Sequence, residues 1–155
     1  MYRLMFYTEE EMVNILRRSA RLLSLSIDDA AIREIAQRCR KTPRVANRIL
    51  KRVRDVAQVE DCSRVTPDIV HRTLRLLEVD SLGLDASDRH VLQAIVEHFH
   101  GGPVGVQTLA AVCAEEERTI EEVIEPFLLQ SGLIVRTPRG REVTDKGKAH
   151  LTVSQ

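Results

Sequence analysis

The chain has 155 residues, room for one ordinary domain or two small ones, and its 43% apolar content excludes a disordered tail. Aromatic residues make up only 3%, so any core must be aliphatic. Basic and acidic residues balance at 23 each, but residues 1–80 hold 16 basic against 12 acidic (net +4) and residues 81–155 hold 7 against 11 (net −4), which points to two modules with different surfaces.

Residues 1–80 carry the pattern of a small helical bundle. Thr8 is a candidate N-cap with Glu11 as its capping-box partner, and Met12, Ile15, Leu16, Leu22 and Leu23 follow at roughly helical spacing. Ser26 is expected to open a second helix with Ile32, Ile35, Ala36 and Cys39 on its apolar stripe. Thr42-Pro43 and Thr66-Pro67 each read as an N-cap followed by proline at the first helical position, where a missing N–H costs nothing. The third helix presents Val45, Ile49, Val53 and Val56 or Ala57. The fourth presents Ile69, Val70, Thr73, Leu74 and Leu77. The periodicity breaks at Asp80–Asp85, so the boundary is placed near residue 82, between modules 1–80 and 83–155.

The second module begins with a helix after Ser87 carrying Val91, Leu92, Ile95, Val96 and Phe99, ended by Gly101-Gly102-Pro103. A short helix over 107–113 and a longer one over 118–130 follow, the latter with Pro126 as a candidate kink. Leu133–Arg136 and Arg141–Thr144 then form a hairpin around Thr137–Gly140, and Asp145–Leu151 adds a last helical turn. Helix, helix, helix, hairpin is the order of a winged helix. The expected fold class is mainly α, a small helical bundle followed by a winged-helix domain with a β-hairpin wing.

Several chemistries are excluded. Cys39, Cys62 and Cys113 stand far apart with no CxxC pair, and His98 and His100 point to different helix faces, so neither a disulfide framework nor a metal site is expected. No apolar run approaches the ~18–20 residues of a membrane span, and the N-terminus has no signal-peptide core. A cytoplasmic setting without membrane contact is the expectation. GGPVG (101–105) lacks the GxxxxGK pattern of a phosphate-binding loop, and no nucleophile motif is present, so no catalytic residue is assigned.

Two basic patches remain. Between Arg38 and Arg54 stand eight basic residues and no acid, and on a helix Arg44, Arg48, Lys51 and Arg52 share one face. Arg44 falls in the first turn, where backbone N–H groups favour anions; the alternative is a solvated basic face. In the second module, Arg136, Arg139 and Arg141 crowd the hairpin, either as phosphate contacts or as a solvated turn. The helix over 118–130 carries Glu121, Glu122 and Glu125 after Glu115–Glu117, and so many carboxylates make it a poor reader of the major groove.

Four strings, Arg3-Leu4-Met5-Phe6-Tyr7, Thr42-Pro43-Arg44-Val45-Ala46-Asn47-Arg48, Gly101-Gly102-Pro103-Val104-Gly105 and Arg136-Thr137-Pro138-Arg139-Gly140-Arg141, resemble in order and spacing the C-terminal part of the RuvB family of Holliday-junction branch-migration ATPases. The resemblance covers nearly the whole chain. It implies an AAA+ lid over 1–80 and a DNA-binding winged helix over 83–155, cut from a longer ATP-dependent DNA translocase. The ATPase core with its Walker motifs, its arginine finger and the hairpin that docks on RuvA would lie outside this sequence. By the same resemblance Arg44 matches a sensor-2 arginine, Pro43 and Tyr7 match lid positions around the adenine, and Arg136, Arg139 and Arg141 match a wing on the DNA backbone. The implied ligands are ATP or ADP with Mg in the parent protein and duplex DNA at Holliday junctions. The implied partners are further RuvB protomers in a hexameric ring, with RuvA and RuvC in the full complex of a bacterial cytoplasm. The chain alone is expected to bind nucleotide weakly and to hydrolyse none. Three wing arginines on three phosphates predict a log–log salt slope of about −2.7. The sequence departs from the family pattern at Lys41, where glycine is usual. The rival reading is a non-enzymatic winged-helix regulator whose helical bundle binds a partner.

Overall fold

The computed structural model describes residues 7–153. Of the string Arg3–Tyr7, only Tyr7 lies within them. The chain forms two compact units that divide between Leu84 and Asp85.

The first unit is built from α1 (Glu9–Leu22), α2 (Asp29–Arg38), α3 (Pro43–Val59) and α4 (Pro67–Leu76). Thr8 and Glu11 form the expected capping box at the start of α1: the Glu11 N–H donates to Thr8 Oγ1 (3.2 Å) and the Thr8 N–H to Glu11 Oε2 (2.7 Å). Met12, Val13, Leu16 and Ala20 face inward from α1, while Leu22, which sequence spacing grouped with them, falls on the opposite side of the helix and stays 77% exposed. α1 and α2 run antiparallel, tied by Gln37 to Glu9 (3.3 Å), Arg33 to Glu10 (3.0 Å) and Arg17 to Asp29 (3.1 Å). Ile35, Cys39, Ile49, Leu50, Val53 and Val70 fill the aliphatic centre. Truncating Leu50 to alanine there would cost about 2–5 kcal/mol.

Ser26 does not open α2. The cap is Asp28, because Ser26–Asp28 is extended and pairs with Val65: the Val65 N–H donates to the Ser26 carbonyl (2.9 Å) and the Asp28 N–H to the Val65 carbonyl (3.0 Å). Backbone committed to that bridge cannot start a helix.

The second unit comprises α5 (Ala86–Phe99), α6 (Val106–Cys113), α7 (Glu117–Thr119), a π-helical turn (Ile120–Ile124), α8 (Glu125–Gln130), the hairpin β1 (Ile134–Thr137) and β2 (Gly140–Val143), and α9 (Asp145–Val153). α5 starts ahead of Ser87, since Asp85 and Asp88 make a reciprocal capping box (3.1 and 2.9 Å) that nucleates the helix at Ala86. Instead of one helix kinked at Pro126, the segment widens into the π turn just before it, where the Glu125 N–H reaches back five residues to the Ile120 carbonyl. Pro126 has no N–H to donate and its ring crowds the carbonyl four residues back. The wider turn absorbs both.

The wing gains a rung the sequence did not announce. Val104 exchanges hydrogen bonds with Arg141 (3.0 and 2.8 Å), and the Val143 N–H donates to the Gly101 carbonyl (2.8 Å). Gly140 makes this close approach possible: at φ +136° an added Cβ would lie 2.3 Å from the Val104 carbonyl oxygen.

Candidate functional site

In the first unit the candidate site is the start of α3. Thr42 is the cap residue, but its hydroxyl is turned back onto the Arg40 carbonyl (3.0 Å) and caps nothing. Pro43 supplies no N–H, and the first turn contains no acid. The N–H groups of Arg44 and Val45 therefore face outward under an uncompensated helix dipole, with the exposed Arg44 side chain beside them. The preceding turn is set by Arg40 (φ +55°) and Lys41 (φ +51°), both left-handed. Lys41 thus holds the conformation that glycine adopts without cost. Because Gln37 bonds Glu9, the start of α1 lies beside the end of α2, and the turn into α3 leaves from there. The exposed Tyr7, the partly buried Pro43 and Arg44 consequently share one end of the bundle.

The basic run resolves into two classes. Arg38 pairs with Glu34, Arg52 and Arg54 pair with Asp55, and Arg40 donates to the Gly83 carbonyl (3.0 Å). Lys41, Arg44, Arg48 and Lys51 are exposed with no side-chain partner among the described residues. Free positive charge is therefore concentrated on the face that begins at Arg44.

In the second unit the three wing arginines have three different fates. Arg139 is exposed in the Thr137–Gly140 turn. Its backbone N–H donates to Thr137 Oγ1 (3.3 Å) and its side chain has no partner among the described residues. Arg136 keeps 56% of its side chain exposed while its Nε donates to Glu125 Oε1 (2.8 Å). Arg141 corrects the expectation. Only 9% of its side chain is exposed, its Nε and Nη2 both donate to Glu125 Oε2 (3.1 and 2.8 Å), and Nη2 also reaches Glu121 Oε1 (3.2 Å). A guanidinium so enclosed is a brace between helix and wing and has no open face for DNA.

Glu125 is the residue that sequence reading missed. It stands in sequence beside Glu121 and Glu122, yet only 2% of its side chain is exposed. Arg136 and Arg141 are direct cross-strand partners in the hairpin. Like charges in that position repel, and the single carboxylate of Glu125 sits against both, one oxygen to each. The signal was available: a hairpin closed over Thr137–Gly140 puts Arg136 opposite Arg141, and such a pair calls for an anion. The exposed acids Glu116, Glu117, Glu121 and Glu122 keep this helical segment negative on its outer side.

Groups of three or more His, Cys, Asp or Glu side chains placed to hold a metal are absent among the described residues. None of the described helices is long and apolar enough to cross a membrane.

A four-helix unit with an open, basic helix start, followed by a winged helix with an arginine-tipped wing, defines an AAA lid joined to a winged-helix domain. The RuvB AAA lid domain family matches residues 7–80 and the RuvB C-terminal winged helix domain family matches residues 81–152, so the chain belongs to the RuvB family, in the part that carries its lid and winged helix. It is 54% identical over 149 residues to Holliday junction branch migration complex subunit RuvB 2 of Synechococcus sp. (strain JA-3-3Ab), covering 96% of this chain and 40% of that one. It is 53% identical over 150 residues to the RuvB subunit of Chloroflexus aurantiacus, covering 97% and 43%. The solved Thermotoga maritima RuvB Holliday junction branch migration motor superposes with a TM-score of 0.93 at 48% identity, over 96% of this chain and 50% of that one. The chain thus spans half or less of the length of these relatives.

Proposed function

We propose that this chain is the lid and DNA-holding part of an ATP-dependent Holliday-junction branch-migration motor. The observation that carries the reading is the likeness of both units, in order, to a branch migration motor. In the whole protein, ATP hydrolysis in a core outside this sequence supplies the energy. The start of α3, with its outward N–H groups, Arg44 and no acid in the first turn, has the donors to take nucleotide phosphates, and Tyr7 and Pro43 lie at the same end for the base. The lid reports the state of the nucleotide through Arg44, and the winged helix carries the duplex with it. A hexameric ring of such protomers, working with RuvA and RuvC, is the assembly this implies. Alone, the chain turns over no ATP.

Duplex is held through its backbone by Arg139 at the wing tip and by the open side of Arg136, while the acid-covered helical segment stays out of the major groove. With Arg141 buried, two phosphates are contacted and not three. The salt slope of duplex binding is then about −1.8 in place of −2.7. Fluorescence anisotropy with random-sequence duplex tests this. Arg139→Ala should weaken binding to all sequences alike and flatten the slope by about 0.9. A change in preference between sequences would instead support a sequence-reading regulator and overturn the backbone assignment.

A further inference from the structure

The carboxylates along the winged unit's helical segment are not equivalent. Glu116 and Glu117 are exposed without a side-chain partner among the described residues, and Glu122 pairs with Arg118 (2.9 Å) on its own helix. Glu125 is buried and holds the wing. Glu121 lies between these cases: its side chain is 44% exposed, and its Oε1 stands 3.2 Å from Arg141 Nη2 and 3.9 Å from Arg136 Nη2.

We propose that Glu121 is a built-in competitor for DNA phosphate at Arg136. The inference rests on the wing reading above and assigns Glu121 a role in tuning it. A carboxylate oxygen and a phosphodiester oxygen offer a guanidinium the same kind of partner. Arg141, enclosed and paired with Glu125, anchors Glu121 by the same Nη2 that donates to Glu125 and aims that oxygen toward the hairpin. Arg136 donates from Nε to Glu125, which orients its guanidinium, while its side chain stays 56% exposed with Nη2 toward Glu121. That nitrogen faces Glu121 when the wing is empty and a phosphate when duplex is bound. Each binding event must displace a half-exposed carboxylate, so the contact is weaker than a free arginine would make. For a protein that holds duplex without reading it and must move along it, weak backbone contacts allow stepping.

The test is duplex binding by the full 155-residue chain, measured by anisotropy across a salt series. Glu121→Gln keeps the shape and a neutral hydrogen bond to Arg141 but removes the competing charge. Affinity should rise about two- to fivefold, the worth of a half-exposed ion pair, with the slope staying at about −1.8 because the same two phosphates are contacted. Glu117→Gln controls for net charge and should give a smaller rise with the slope unchanged. In an Arg136→Ala background the gain from Glu121→Gln should vanish. A purely structural role for Glu121 would lower affinity on substitution, never raise it. If Glu121→Gln matches Glu117→Gln, or its gain survives Arg136→Ala, while Arg139→Ala still weakens binding, the competitor is refuted and the wing reading stands. If neither Arg136→Ala nor Arg139→Ala weakens binding, the wing reading itself falls.

Discussion

Replacing Glu125 by alanine removes the one acceptor that Arg136 and Arg141 share. Arg141 would be left with 9% of its side chain exposed and only Glu121, at 3.2 Å, as a charged partner. Breaking a buried pair by deleting one member leaves a desolvated charge and costs about 3–5 kcal/mol. The facing guanidinium of Arg136, no longer neutralised across the ladder, adds up to about 1 kcal/mol. For a unit of this size, 3 kcal/mol corresponds to a fall in melting temperature of about 12 °C or more. Thermal denaturation followed by circular dichroism gives the midpoint, and hydrogen exchange over residues 133–144 locates the loss in the wing. Replacing Glu125 by leucine together with Arg141 by methionine should recover most of the stability, because an apolar pair leaves no charge inside. A cost below about 1 kcal/mol for Glu125→Ala, the value of an exposed pair, would show that the wing is not braced through this carboxylate.

Three further outcomes follow from other parts of the chain. Burial pulls the Glu34 carboxyl upward, but hydrogen bonds and charge from His71 and Arg38 hold it below the usual glutamate range, so it stabilises the lid above that range and the contribution is lost as pH falls through it. Urea midpoints of wild type and Glu34→Gln should therefore differ at neutral pH and converge in acid. Burial raises the thiols of Cys39 and Cys113 above their ordinary value, whereas Cys62 is exposed, so a thiol reagent at neutral pH should label one cysteine quickly and leave two until the chain unfolds. Lys41→Gly should stabilise the lid by roughly 0.5–1 kcal/mol in denaturant titration, the relief of a left-handed lysine less the added entropy of glycine. A destabilised variant would mean that the lysine side chain makes up for its backbone strain.

Most of the helices and their inward faces are legible in the order of the residues alone. Thr8 with Glu11, Thr42-Pro43 and Thr66-Pro67 are local signals, complete within one turn, and aliphatic residues at 3.6-residue spacing mark the buried side whatever they pack against. The same locality misplaced two helix starts, where Ser26 gave way to a strand bridge with Val65 and Ser87 to the capping box of Asp85 and Asp88. It also made the helix start beside Arg44 legible, because the outward N–H groups of a first turn need no tertiary contact. The surroundings of each wing arginine, by contrast, come from the packing of the chain in space. Arg136, Arg139 and Arg141 are the same residue type within six positions, and composition treats them alike. The hairpin register puts two of them opposite each other, and the fold brings Glu125 from a helix eleven and sixteen residues away to sit between them. Whether a charge is a free contact or an internal brace depends on what surrounds it in space, and burial of an ion pair arises from contacts distant in sequence that no local pattern encodes.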